Sequence, residues 1–442
     1  MTRKLLVGMI SLGCNKNRVD SETALGLLRD RGYGFTEDPA RADILMVNTC
    51  GFIEAAKEES INTILEMAQY KETGRCRVLA VTGCLAQRYE QELLAGIPEI
   101  DVLLGVNQYR SLPDAIEKAL KGQERQNCCR DDFTFFEQER MLTTPAYIAY
   151  TRIGDGCSNR CTFCAIPMIR GPYRSRDRGA ILQEIRTLAE RGVKEHILVA
   201  QDTTRYGMDR GGPSQLPELM TAAADVPGVA WLRVLYCYPD ETREALLDAM
   251  ASRDNICKYL DLPVQHIDDG ILKRMHRRGD SRDIRRALRL ARERGFVLRT
   301  TLIVGFPGET EDQFKALMDF VREAEFDRMG AFAYSPEEGT PAARLPDQVP
   351  EPVKQERLHR IMTLQQEISL KRNRARIGTE LTALITDRNA KGELLARSQY
   401  EAPETDGEIY LRPNPARMPE VGEFTRIRIT DAGPYDLMGE IV

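Results

Sequence analysis

The sequence lacks several features that would point to common classes of protein. No apolar run reaches the roughly 18 residues that a membrane-spanning helix needs, so we expect no membrane partner. The formal net charge of -5 excludes a chain that is basic throughout, like a histone, although a local basic groove stays compatible with it. Histidine is scarce, with four residues, which argues against ordinary His-rich metal chemistry.

Cysteine, by contrast, is well represented. Eleven cysteines in 442 residues are too sparse for a disulfide scaffold, and an odd number cannot pair completely within one chain. Metal or redox chemistry carried by thiolates is therefore favoured. The apolar stretch from Leu5 to Gly13, followed by Cys14, loosely resembles a lipoprotein signal. It is short and interrupted by Gly8 and Ser11, so we interpret it as a buried strand and expect a cytoplasmic protein.

The hydrophobic pattern predicts an α/β multidomain protein with three domains. Residues 1–122 alternate apolar runs with helical patterns, which predicts a Rossmann- or flavodoxin-like sheet. Residues 123–142 are polar and irregular, which is typical of a linker. Residues 143–374 contain six more β–α units, which suit an open, partial (β/α)6 barrel. Short strands separated by turn residues predict a small β-barrel over residues 375–442.

The strongest chemical signal is the run Cys157-Ser-Asn-Arg-Cys161-Thr-Phe-Cys164. Zinc usually takes a fourth Cys or His, and the neighbouring sequence offers none in a matched pair. A [4Fe–4S] cluster held by three cysteines would instead leave one iron open for a substrate. The run follows the first predicted barrel strand, which places it at the mouth where barrel chemistry occurs. A structural zinc loop is the alternative.

A second signal is spread over the first domain. Cys14, Cys50 and Cys84 follow the first, second and third predicted strands. The carboxyl ends of parallel strands share one edge of a sheet, so these thiols are predicted to converge. A lone cysteine is usually a core residue, but three at equivalent strand ends indicate a second cluster that faces the first. The remaining cysteines match no such pattern and are interpreted as structural or incidental: Cys76, Cys128, Cys129, Cys237 and Cys257.

The loop from Cys157 to Cys164 resembles the signature of the radical S-adenosylmethionine (SAM) superfamily. With the second cysteine set and the terminal barrel, nearly the whole chain resembles the radical-SAM methylthiotransferases. That family has an N-terminal methylthiotransferase domain, a radical-SAM core and an OB-like TRAM barrel. The resemblance implies an enzyme that converts C–H into C–S–CH3 with SAM and two [4Fe–4S] clusters. It also implies an electron donor, such as flavodoxin or ferredoxin.

The resemblance assigns roles to particular residues. Cys157, Cys161 and Cys164 would hold the cluster that turns SAM into a 5′-deoxyadenosyl radical. The other set would hold an auxiliary cluster for the sulfur chemistry. At Gln201 the superfamily commonly has a Gly-Gly-Glu-like run, from which this chain departs. The expected SAM-pocket residues are Phe163, Gln201, Arg299, Gly305 and Pro307.

Two substrates fit this family: the β-carbon of an aspartate in the small-subunit ribosomal protein S twelve, and tRNA adenosine. Residues 201–207, 299–301 and 397–407 resemble the ribosomal-protein branch. Residues 376–442 contain eight basic and twelve acidic residues, a net of -4. RNA binding relies on cations, so this charge favours a basic protein partner. A different class also fits, a non-catalytic iron–sulfur or zinc protein that binds ribosomes.

Overall fold

The computed structural model describes residues 3–123, 125–129, 135–412 and 418–442. These residues form three units in chain order: an α/β unit with a parallel sheet, a partial barrel and a small closed β-barrel. This architecture confirms the predicted fold class. None of the helices in these ranges is both long and apolar enough to cross a membrane.

The first unit is a six-stranded parallel sheet in the order β2-β1-β3-β4-β5-β6. Its strands are β1 Leu6–Ser11, β2 Gly34–Phe35, β3 Ile44–Thr49, β4 Val78–Gly83, β5 Val102–Leu104 and β6 Gln126–Cys128. Its helices are α1 Asn15–Asp30, α2 Glu54–Ala68, α3 Tyr70–Thr73, α4 Cys84–Arg88, α5 Glu90–Gly96 and α6 Leu112–Leu120. The central strands β3 and β4 are buried throughout, because an apolar cluster covers each face of the sheet.

The segment 123–142, predicted to be a linker, contacts both the first and the second unit. Strand β6 lies within it and pairs with β5 at the edge of the first sheet. Further on, Arg140 is buried and donates to Glu22 of α1 at 2.5 Å. The guanidinium of Arg140 also contacts Glu184 in the second unit. A polar strand of three residues carries no hydrophobic period, so the sequence pattern does not reveal it.

The second unit is an open, partial barrel of six parallel strands. They form the sheets β11-β10-β7 and β12-β13-β14, which an isolated bridge between Leu232 and Ile256 joins. In chain order, the strands of this unit are β7 Ile148–Arg152, β8 Gly154–Asp155, β9 Arg174–Ser175, β10 Glu195–Val199, β11 Trp231–Val234, β12 Tyr259–Asp261, β13 Val297–Val304 and β14 Arg328–Ala333. Of these, β8 and β9 are not barrel strands but form a separate two-stranded antiparallel sheet. The helices are α7 Ile166–Arg170, α8 Arg178–Glu190, α9 Leu216–Ala224, α10 Glu244–Ala251, α11 Asp269–Arg274, α12 Ser281–Glu293, α13 Glu311–Ala324 and the long α14 Glu351–Arg374.

The third unit is a closed barrel in the order β15-β16-β17-β19-β18. Its strands are β15 Glu380–Arg388, β16 Leu394–Ser398, β17 Ile409–Arg412, β18 Phe424–Ala432 and β19 Leu437–Ile441. It packs against the amino-terminal ends of the partial-barrel strands, where Phe424 meets Trp231, the first residue of β11, edge-on with ring centroids 4.8 Å apart. Nearby, the buried Arg397 donates to Glu195 at 2.6 Å. The small barrel therefore covers strand residues that an open barrel would leave exposed.

Candidate active site

The loop that carries Cys157, Cys161 and Cys164 follows strand β8 at the mouth of the partial barrel. Gly156 has φ +74°, and a Cβ there would lie 2.2 Å from the carbonyl oxygen of Pro172, so the turn into the loop requires glycine. Burial raises the pKa of the Cys157 thiol to about 11, and the nearby thiol of Cys161 adds to it. Burial also raises the pKa of the Cys164 thiol, and the nearby thiols of Cys161 and Cys157 add to the increase.

Two predicted SAM-pocket elements meet beside this loop. The rings of Phe163 and Phe306 pack edge to face with centroids 6.5 Å apart, which joins the cysteine loop to the run that starts at Gly305. Gly305 has φ +70°, and its N–H donates to Glu309 at 2.9 Å. Pro307, in the same run, is buried. The fold thus brings together two motifs that lie far apart in the sequence.

Gln201 also lies against the entrance to the cysteine loop. Its Nε2 donates to Oδ1 of Asp155 at 2.9 Å, two residues before Cys157. Its Oε1 is buried and has no hydrogen-bond partner within the described ranges. Arg299 lies elsewhere, at the junction with the C-terminal barrel. It donates to Asp261 at 2.8 Å and lies 3.8 Å from Asp406.

Sequence analysis missed Tyr238 and Arg277, which also contact the cysteine loop. The hydroxyl of Tyr238 lies 3.5 Å from Sγ of Cys161, and Nη1 of Arg277 lies 3.8 Å from the same sulfur. The guanidinium of Arg277 stacks on the Tyr238 ring at 3.9 Å. Hydrogen bonds and charge at a ligand sulfur tune the potential of an iron–sulfur cluster. Neither residue belongs to a motif, so only the folded structure reveals this contact.

The second cysteine set converges as the strand order predicts. Cys14 follows β1 and caps α1, Cys50 follows β3, and Cys84 follows β4 as the first residue of α4; the three strands are neighbours. Burial raises the pKa of Cys84 to about 12, and both Cys14 and Cys50 contribute to the increase. A Cβ on Gly13 would lie 3.2 Å from Sγ of Cys50, so this edge is tightly packed.

Arg170 connects the two cysteine sets. It ends α7, six residues after Cys164, and is buried. Its Nη2 lies 3.7 Å from Sγ of Cys84 and donates to Asp20 of α1 at 2.7 Å. Its Nη1 donates to Asp155 at 3.1 Å. The loop of the first set and the sheet edge of the second therefore share one buried guanidinium, which sequence analysis did not single out.

The remaining cysteines lie outside both sets. Cys237 and Cys257 are buried in apolar clusters of the partial barrel. Cys76 belongs to an apolar cluster on one face of the first sheet. Cys128 ends β6, and Sγ of its neighbour Cys129 donates to the carbonyl of Ala86.

The donor chemistry at both sets is thiol alone. Among the described residues, no group of three or more His, Cys, Asp or Glu side chains surrounds a single point as the ligands of one metal ion would. A [4Fe–4S] cluster is held by cysteine thiolates on different irons, so its ligands need not converge on one point. Three thiols at each set, with no mixed-ligand shell, fit such clusters.

Comparisons with known proteins agree with this division of the chain. Family models match at residues 6–105 (Uncharacterized protein family UPF0004), 151–321 (Radical SAM superfamily) and 377–442 (TRAM domain). A curated protein of Desulforamulus reducens, named ribosomal protein uS12 methylthiotransferase RimO, is 49% identical over 98% of this chain and 99% of its own length. Proteins of the same name from Heliobacterium modesticaldum and Geobacter sulfurreducens are 48% and 47% identical, each over 99% of this chain and over 95% and 98% of their own lengths.

The chain belongs to the RimO methylthiotransferase family. It is therefore a radical-SAM enzyme, and its family implies an iron–sulfur cluster and SAM as cofactors. Solved structures support the RimO-family fold at low identity. The radical SAM methyltransferase TsrM from Kitasatospora setae aligns with a TM-score of 0.58 at 16% identity, over 77% of each chain. The enzyme OxsB aligns with a TM-score of 0.51 at 13% identity, over 82% of this chain and 56% of its own.

Proposed function

We propose that this enzyme converts the β-carbon C–H of an aspartate in ribosomal protein uS12, the S twelve of the small subunit, into C–S–CH3. One observation carries the proposal: the buried Arg170 contacts Sγ of Cys84 and also Asp155, which precedes the loop of the other set, so it joins the segments that carry the two sets of thiols. A radical source and a sulfur source must both reach one carbon, and neighbouring cysteine sets that each hold a cluster would meet this requirement. The relatives from three bacteria that carry the uS12 name span nearly the whole chain.

Under this proposal the enzyme holds two [4Fe–4S] clusters. Cys157, Cys161 and Cys164 hold the first, and Cys14, Cys50 and Cys84 hold the second. When bound, the groups supply a 5′-deoxyadenosyl radical at the first site and sulfur at the second, while another SAM supplies the methyl group. A one-electron donor of the flavodoxin or ferredoxin type is the remaining partner.

The protein's own residues prepare this chemistry. Phe163, Gly305 and Pro307 form one wall beside the cysteine loop, consistent with a SAM pocket there. Gln201 adds a buried amide oxygen that has no partner among the described residues and would accept a hydrogen bond from the ammonium group of bound SAM. Arg299 is engaged by Asp261, so we assign it to holding the strand ends rather than to direct contact with SAM.

The substrate assignment rests partly on the charge of the C-terminal barrel. Four of its basic residues are engaged by carboxylates: Arg376 with Glu401, Arg397 with Glu195, and both Arg426 and Arg428 with Glu380. Cations that are already paired are poorly placed to neutralise phosphates. The alternative, a tRNA adenosine methylthiotransferase, keeps the same fold and clusters. It needs a basic surface to bind RNA, and the pairing of these arginines with carboxylates argues against such a surface on this barrel.

The test is a comparison of cells with and without the gene. We expect mass spectrometry to show that uS12 loses a methylthio group on one aspartate while the nucleosides of bulk tRNA stay unchanged. Loss of a methylthio nucleoside with uS12 unchanged would contradict the proposal and move the substrate to RNA. A catalytically inactive gene copy, restored on a plasmid, controls for effects of the deletion itself.

A further inference from the structure

A buried lysine without a carboxylate partner lies beside the second cysteine set. Lys16 is 7% exposed, and none of the described Asp or Glu residues lies within 4.0 Å of its Nζ. The Nζ instead lies 3.1 Å from the centroid of the Tyr236 ring. Burying an ammonium group is costly unless an anion accompanies it, and an aromatic face compensates only in part. Within the described residues, the fold therefore supplies no carboxylate to pair with the Lys16 ammonium.

The other buried lysines of the described residues do not share this property. Lys57 is 8% exposed and contacts both Glu54 and Glu337. Lys354 is 5% exposed and pairs with Glu351 at 3.2 Å. Among the described residues, the fold thus supplies carboxylates to Lys57 and Lys354 but none to Lys16, which leaves the Lys16 ammonium able to pair with an anion from outside the chain.

The position of Lys16 indicates where that anion binds. Lys16 is the second residue of α1, whose first-turn N–H groups and dipole also favour an anion. Tyr236, which carries the ammonium on its ring, follows β11 at the mouth of the partial barrel. Its hydroxyl accepts a hydrogen bond from Asn15 at 3.1 Å, and the other amide atom of Asn15, Oδ1, is buried with no partner in the described ranges. The ammonium therefore lies between Cys14 and the barrel mouth.

We propose that Lys16 binds the side-chain carboxylate of the substrate aspartate. The inference rests on the proposed function and deepens it. The β-carbon of an aspartate is bonded directly to its carboxylate carbon, so a cation that holds the carboxylate also positions the carbon that loses hydrogen. The ring of Tyr236 fixes the direction of the ammonium. Adenosine carries no carboxylate, so the same lysine selects a protein substrate over tRNA.

The experiment is a binding cycle with two forms of uS12 and the full-length, cluster-loaded enzyme under anaerobic conditions. One form has the target aspartate, and the other has asparagine at that position. We expect the wild-type enzyme to prefer the aspartate form by about 30-fold or more, as for a buried charge pair that loses one partner. Lys16→Met, which keeps the length of the side chain, should bind both forms alike. Lys16→Arg should restore part of the preference.

Lys57→Met is the matched control, since it removes an equally buried lysine that has its own carboxylates. It should retain the preference for the aspartate form. If Lys16→Met keeps the wild-type preference, or weakens binding of both forms equally, the inference is overturned. Loss of SAM cleavage by Lys16→Met in the absence of uS12 would assign the lysine to the cofactor and would also overturn it.

A second measurement needs no variant and so does not depend on folding of Lys16→Met. A water-soluble carbodiimide joins a carboxylate to an amine that touches it, with loss of water, and mass spectrometry locates the bond. In the wild-type complex we expect a cross-link between Lys16 and the target aspartate. A cross-link from that aspartate to another lysine would overturn the inference. If the wild-type enzyme leaves uS12 unmodified, the proposed function itself fails, and the Lys16 inference fails with it.

Discussion

The two cysteine sets are built in opposite ways. Cys157, Cys161 and Cys164 lie in one run of eight residues, whereas the other set is spread from residue 14 to residue 84. A local run needs only one loop to adopt its conformation. The dispersed set needs β1, β3 and β4 to pair in register before its thiols can meet. The comparison teaches that one enzyme can carry two similar thiol sites with very different dependence on the tertiary fold.

The largest expected effect comes from the local set. Replacing Cys157, Cys161 and Cys164 together by alanine should abolish both SAM cleavage and methylthio transfer, because no other thiol set would generate the radical. The bound iron should fall by about half, since one of two equal clusters is lost. Chromatography of 5′-deoxyadenosine and an iron assay measure the two effects. Undiminished SAM cleavage would refute the assignment of this set.

Replacing the dispersed set should separate the two activities. With Cys14, Cys50 and Cys84 changed to alanine, we expect methylthio transfer to disappear while SAM cleavage persists, because the radical site is intact. The iron content should again fall by about half. The matched control replaces Cys128 and Cys129, which should leave the iron content unchanged. Equal iron in the variant and the wild type would contradict a second cluster.

Arg170 tests the connection between the sets. Arg170→Met leaves the buried carboxylates of Asp20 and Asp155 without this partner, and we expect it to cost about 3–5 kcal/mol of unfolding free energy. Urea unfolding of the metal-free protein measures the loss. The control is Arg282→Met, whose 89% exposed side chain pairs with Asp280 and should leave the unfolding free energy nearly unchanged. Similar losses in the two variants would show that Arg170 does not connect the units.

Low pH should destabilise the fold through Glu184, which contacts Arg140 where the first and second units meet. Burial alone would raise the pKa of Glu184, but Arg140 and Arg176 outweigh it and lower the pKa from 4.5 to about 2. The carboxylate therefore stabilises the fold above about pH 4.5, and its contribution of at most about 3 kcal/mol is lost as the pH falls toward 2. Thermal unfolding of the metal-free protein from pH 6 to pH 3 should show a steeper decline in the wild type than in Glu184→Gln. Parallel curves would contradict this assignment.

The smallest expected effect concerns Gly83, which precedes Cys84. Gly83 has φ +100°, and a Cβ there would lie 2.3 Å from Oδ1 of Asn48, so Gly83→Ala strains the strand end. We expect it to cost about 1–3 kcal/mol and to lower the iron of the dispersed set while SAM cleavage is retained. Gly32→Ala is the control, because Gly32 has φ +86° but nothing within 4 Å of the added Cβ. It should cost about 1–2 kcal/mol from the backbone strain alone and leave iron unchanged. Iron loss in both variants would show that the φ strain alone, and not the crowding at Asn48, disturbs the site.

Much of the architecture follows from sequence patterns. The fold class, the family and the enzymatic class predicted from the sequence are confirmed. The domain boundaries and the cluster roles of the cysteines stay predictions. The segment 123–142 differs most from expectation, because β6 is too short and polar to show a hydrophobic period. Arg299 lies on β13 beside Asp261 and the C-terminal barrel, a neighbourhood that the strand pattern alone did not reveal.

The sequence by itself determined the features that depend on spacing along the chain: the local cysteine loop, the β–α alternation and the three strand ends that carry Cys14, Cys50 and Cys84. Only the tertiary structure decided which side chains from distant segments meet. It placed Arg170 between the segments that carry the two cysteine sets, and it buried Lys16 against Tyr236 with no carboxylate of the described residues to pair with it. The physical reason is that a charged residue has no periodic signature. Its partners are set by how the units pack, and burial makes each missing or present partner energetically important.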